Sequence, residues 1–145
     1  MSKEEIKVAR QGMEKGLTRE QCYLCIMRKN ESSPEQTKSH DQLRLEHHDF
    51  LLDLERRGIL FAAGPFRDEN GQWSTTHGIG MIIVRAKTRA EAEIIAFSEP
   101  FTKAGWHTME VVPWQRNEGT VHISLRFADG VLEIDNRTYE LKSKG

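Results

Sequence analysis

His47-His48-Asp49-Phe50-Leu51-Leu52-Asp53-Leu54-Glu55-Arg56-Arg57-Gly58-Ile59-Leu60-Phe61-Ala62-Ala63-Gly64-Pro65 reads as the end of an amphipathic helix, a turn at glycine, and a strand that closes on Gly-Pro. Counted by threes and fours, Leu43, His47, Phe50 and Leu54 share one helical face. An imidazole therefore stands where the periodicity expects a hydrocarbon. It is either a core histidine bonded to a backbone carbonyl or a group that moves protons. His48 and Asp49 are expected to point outward as solvated neighbours.

Working outward, the helix spans about residues 38 to 57 and follows the turn-rich loop Asn30-Glu31-Ser32-Ser33-Pro34. Before that loop, Cys22-Tyr23-Leu24-Cys25-Ile26-Met27 reads as a first strand over about 21 to 28. Beyond the helix come a strand at 59 to 64, a long loop containing Asn70-Gly71, and the apolar run Ile79 to Arg85. Thr88-Arg89-Ala90-Glu91 is a capping box, in which hydroxyl and carboxylate satisfy exposed amides at a helix start; this helix ends near Ser98, before Pro100. A fourth strand is predicted at 106 to 114.

The order strand, helix, strand, strand, helix, strand is that of an α+β split β-α-β sandwich with an antiparallel sheet and helices on one side. The strands are apolar on both faces, and helices can cover only one. The uncovered face is expected to be buried against a second copy, giving a homodimer. Flanking this unit at 21 to 116, residues 1 to 20 are expected to add an N-terminal helix (Lys3 to Lys15). Residues 117 to 145 are expected to add a C-terminal β-meander, signalled by the alternation Val121, Ile123, Leu125, Phe127 and the Asp129-Gly130 hairpin.

Composition narrows the function classes. The chain has 145 residues and a formal charge of −1, without a lysine or arginine stripe that could neutralise phosphates, so nucleic acid is not an expected partner. No apolar run approaches the ~18 residues of a membrane span, and no hydrophobic signal core opens the chain; a cytoplasmic protein without a membrane partner is expected. Cys22 and Cys25 lie three apart in a strand, on opposite faces, and are expected to be buried free thiols. The 6 histidines invite a metal site, but none are paired at the four-residue spacing of a helical zinc motif. No glycine-rich phosphate loop is present either. Neither metal nor cofactor is expected.

Around His47, further residues are candidates for binding a small molecule. Gly64 and Pro65 end a strand where backbone can approach a ligand closely. Arg67 could hold an anionic oxygen, and His77 sits in a polar loop that could close over a substrate. Trp106 and His107 alternate, so only one of them can face a pocket on the helix side.

His47 through Ala63-Gly64-Pro65, Gly80-Met81-Ile82-Ile83-Val84, Glu99-Pro100-Phe101-Thr102-Lys103-Ala104-Gly105 and the strand ending Val112-Pro113-Trp114 together resemble the YciI-like (YCII-related) family. The resemblance covers about residues 21 to 116. It implies a ferredoxin-like fold assembled as a dimeric α+β barrel, similar to muconolactone isomerase-like and chlorohydroxyhydroquinone dehydrochlorinase-type proteins. It also implies a histidine-aspartate pair, which falls on His47 and on Glu99, where the acid keeps its charge on an arm one methylene longer. The expected function is that of a cofactor-free lyase or isomerase from aromatic catabolism, using His47 and Glu99 to move a proton on a small oxygenated ring. The alternative is a non-catalytic small-molecule-binding or stress-associated barrel.

Overall fold

The computed structural model describes residues 2–3, 19–120, 122–134 and 137–140; apart from Lys3, the expected N-terminal helix lies outside them. The chain runs β1 (Glu20–Lys29), α1 (His40–Arg56), β2 (Leu60–Pro65), β3 (Gly80–Arg85), α2 (Arg89–Phe97), α3 (Pro100–Lys103) and β4 (His107–Arg116). Local chemistry sets the boundaries. Ser39 caps α1 by accepting from the Gln42 amide at 3.2 Å, and Gly58, with φ 70°, turns the chain out of it. Thr88 caps α2 through the Glu91 amide at 3.2 Å, while the Glu91 carboxylate accepts from the Lys87 amide at 2.9 Å. The expected box thus reaches one residue further back.

The four strands form one antiparallel sheet in the order β2-β3-β1-β4. With helices in both crossovers, this is the ferredoxin-like split β-α-β sandwich. Cys25 at the centre of β1 lies opposite Ile82 on one side and Val111 on the other. This register puts Tyr23, Cys25, Met27, Ile82, Val84 and Val111 on the helix side, where they form the core with Leu54, Ala92 and Ala96. The alternate residues Leu24, Ile26, Met81, Ile83 and Val112 point to the other face and are only half-buried; Trp114 beside them is 38% exposed. Cys22 and Cys25 are free, buried and on opposite faces.

At the rim of the open face Glu20 pairs with Arg85 and, at 3.0 Å, with Arg116. Both guanidinium groups lie over the Phe61 ring, at 5.1 and 5.5 Å. Beyond β4 the chain forms a separate three-stranded meander of β5 (Ile123–Arg126), β6 (Val131–Ile134) and β7 (Arg137–Glu140), with Gly130 at φ 63° in the first hairpin.

Strand β4 starts one residue later than predicted. Gly105, at φ 80°, and a bond from the Trp106 amide to the Phe101 carbonyl at 2.9 Å close α3, leaving Trp106 in the turn.

Candidate active site

Helix α1 presents one stripe, His40, Arg44, His47, His48 and Leu51, to a cavity of about 380 Å³ between it and the sheet. The floor comes from Ala63, Gly64 and Pro65 of β2 and from β3, and Phe101 and His107 close one end. Gly80 allows the two floor strands to approach, since a Cβ there would stand 2.9 Å from the Gly64 carbonyl oxygen.

His47 is 18% exposed, and its Nδ1 lies 2.8 Å from Oε1 of Glu99, which is fully buried. The sequence Glu99-Pro100-Phe101-Thr102 explains the acid's position. Proline fits the first turn of α3, and the residue before it takes the cap, so the carboxylate folds back on the next amides. It accepts from the Phe101 amide at 3.1 Å, the Thr102 amide at 2.8 Å and the Thr102 hydroxyl at 2.7 Å. Burial alone would raise its pKa, but the bonds from His47, Thr102 and Phe101 outweigh it and hold the carboxyl below the ordinary range.

An ionised carboxylate only accepts, so Nδ1 of His47 is the donor and the lone pair of the neutral ring resides on Nε2. The arrangement fixes a tautomer whose second nitrogen can take a proton, with a buried anion to stabilise the resulting cation.

Phe101 is the hub of the aromatic groups around this pair. His107 stacks on it at 4.9 Å and 21°, His40 lies at 5.1 Å and His47 at 6.0 Å. Burial, the largest cause, lowers the His107 pKa; the nearby Glu99 charge opposes this, whereas His47 and His40 add to it.

Of the residues predicted from sequence, His47 and Glu99 meet, and Gly64, Pro65 and His107 line the cavity with His47. Three others are not among the lining residues. Arg67 stacks its guanidinium 3.8 Å above the Trp73 ring, and it is Trp73 that reaches the cavity. His77 packs edge-on against Phe66 at 6.3 Å. Trp106, left in the turn, packs behind Phe101 and His40. His48 is exposed, as expected of a solvated neighbour, and it also lines the cavity, 5.9 Å from the His47 ring.

Sequence reading missed His40 and Arg44 altogether, although the spacing 40, 44, 47, 48, 51 is a helical stripe of its own. Among the described residues, no group of three or more His, Cys, Asp and Glu side chains could hold a metal, and no helix is long and apolar enough to cross a membrane.

Comparison with known proteins adds a family. No curated protein matches the chain. Among solved structures it is similar to 5-chloro-2-hydroxyhydroquinone dehydrochlorinase from Burkholderia phenoliruptrix AC1100, in complex with 2,5-dihydroxybenzoquinone. That likeness has 22% identity and a TM-score of 0.43, over 64% of this chain and 92% of the other. The YCII-related domain matches residues 22–115, a span that holds nearly all of the four-stranded sheet together with His47 and Glu99, and the chain belongs to the YCII-related family.

Proposed function

We propose that this protein is a cofactor-free proton-transfer enzyme, a lyase or isomerase acting on a small oxygenated ring compound. The observation that carries the reading is the 2.8 Å bond to a fully buried Glu99, held below the ordinary carboxyl pKa, from His47 at the wall of a cavity of about 380 Å³. A cavity near the lower end of the ~300–1,000 Å³ typical of ligand pockets suits a single substituted ring.

Nε2 of His47 removes a proton from carbon or hydroxyl, and the electron pair it leaves moves into the ring as an enolate or phenolate. The pair then expels a leaving group such as chloride from a neighbouring carbon. Alternatively, the imidazolium returns the proton to another carbon and the double bond migrates. Glu99 stabilises the imidazolium in either case, and Arg44 on the cavity wall supplies a cation for the developing oxyanion.

The same reading includes a homodimer through the open sheet face. Full burial of an apolar side chain contributes about 1.5–3 kcal/mol, and the half-buried Leu24, Ile26, Met81, Ile83 and Val112 forgo much of that in a single chain.

The test follows chloride release from 5-chloro-2-hydroxyhydroquinone and double-bond migration in muconolactone, with 2,5-dihydroxybenzoquinone as a binding probe. Turnover of either substrate, falling about 100-fold or more in His47→Ala, is the expected result. Binding of the probe without turnover of either substrate moves the chain to the class of non-catalytic binding barrels.

A further inference from the structure

His107 occupies an unusual position in the cavity wall. It begins β4 opposite Lys29, stacks flat on Phe101, and lines the same cavity as His47. Its Nδ1 is sealed from solvent and from the cavity, and has no hydrogen-bond partner among the described residues. A buried N–H left unpaired is rarer and costlier than an acceptor left unpaired, so the sealed nitrogen is the one that carries no proton. The proton of the neutral ring is then on Nε2. One ring face is covered by Phe101 and the Nδ1 edge is closed, so the opposite edge, Nε2 and Cδ2, is what the ring offers to the cavity.

We infer that His107 is a second oxygen-binding residue of this cavity, beside Arg44: a neutral imidazole whose Nε2–H donates to a carbonyl or oxyanion of the bound ring, complementing the lone pair of His47. The inference rests on the proposed ligand class and extends it. A base and a donor in one cavity select a ring bearing an acidic hydrogen and, elsewhere on the ring, an oxygen that accepts. The environment supports a ring that stays neutral, because protonation would place a second N–H on the sealed edge without a partner. Of the charged and titratable groups around it, Glu99 favours the cation, whereas His47, His40 and burial oppose it. Two histidines in one cavity thereby take opposite roles, and the difference arises from what each Nδ1 meets: a carboxylate for His47, nothing for His107.

Two measurements on the full chain test this. In ¹⁵N-histidine spectra, the signal missing from His107→Gln identifies the residue. The Nε2–H tautomer is expected at neutral pH, with the ring charging only below the ordinary histidine value of 6.5. An Nδ1–H tautomer, or charging at or above that value, overturns the inference.

Binding of 2,5-dihydroxybenzoquinone, read from its visible absorbance, gives the second measurement. His107→Phe keeps an aromatic ring on Phe101 but has no donor and should weaken binding about 10-fold or more; His107→Gln, whose amide can donate, should stay within about threefold of wild type. Equal binding by wild type and His107→Phe, or no binding by wild type, overturns the inference. The proposed chemistry is read separately, from turnover. Loss of probe binding in His107→Phe therefore supports the donor role even if no substrate is turned over, and turnover with unchanged probe binding removes the donor role alone.

Discussion

A single oxygen of Glu99 serves both a helix and a histidine: Oε1 lies 3.1 Å from the Phe101 amide and 2.8 Å from Nδ1 of His47. The group that starts α3 is thus the group that orients the ring on α1, and neither function can be removed alone. Glu99→Ala leaves the amides of Phe101 and Thr102, the Thr102 hydroxyl and the His47 N–H without their acceptor. At about 1–3 kcal/mol for a buried donor left unpaired, the loss should reach about 3 kcal/mol or more. Glu99→Gln, with one acceptor and one donor end, should lose less stability but still cost about 10-fold or more in turnover. Urea denaturation and initial rates check both values.

Acid should weaken the fold in two stages. The folded pKa of His107 lies below its ordinary 6.5, chiefly through burial, so the unfolded chain takes up the proton first; stability present above pH 6.5 is lost as the pH falls toward the folded value. For Glu99, hydrogen bonds outweigh burial and hold the folded pKa below its ordinary 4.5. Its contribution is complete above 4.5 and drains as the pH falls further. Urea midpoints measured at stepped pH should decline below 6.5 and more steeply below 4.5. His107→Phe should flatten the first stage. A midpoint that rises on acidification through 6.5 would refute the assignment.

The two floor glycines should differ in what a methyl group costs. A Cβ at Gly80 meets the Gly64 oxygen at 2.9 Å and Pro65 Cα at 3.3 Å, so Gly80→Ala must push β2 away from β3, at a cost of about 1–3 kcal/mol. Gly64 lies opposite Met81 in the register, so its added methyl group points to the open sheet face, where it meets nothing within 4 Å. The stability of Gly64→Ala should stay within about 0.5 kcal/mol of wild type. Thermal unfolding of the two variants checks the difference.

The dimer is tested on the open sheet face. Val112 lies opposite Leu24 in the register and is half-buried, so Val112→Asp puts a charge in the middle of the proposed contact. Sedimentation velocity at micromolar concentration should show a dimer for the wild type and a monomer for the variant. A wild-type monomer would remove the dimer from the proposal.

The sequence made the fold legible because its elements carried their own punctuation: the Thr88 cap, the glycine at 58, and strand runs whose two-sided apolarity matched a sheet with one covered face. His47 was legible for a related reason, as a polar interruption in an apolar stripe. Glu99 was not, since a carboxylate before proline reads equally well as an exposed helix cap; only the resemblance to a family motif paired it with His47. Arg67 and His77 show the limit of reading loops. Their contacts with Trp73 and Phe66 depend on how the loop between β2 and β3 folds back, and no periodicity encodes that.

The placement of the two cysteines makes them reporters of opening. Cys25 sits at the centre of β1, and burial pushes its thiol up to about 12, so near neutral pH only roughly one molecule in 10⁵ carries the reactive thiolate. Cys22, buried on the other face, is shifted in the same direction, chiefly by burial. Alkylation of either sulfur then proceeds mainly through conformations in which β1 has parted from a neighbour. Because Cys25 faces the helices and Cys22 the open face, their separate labelling rates would time the exposure of each side of the sheet.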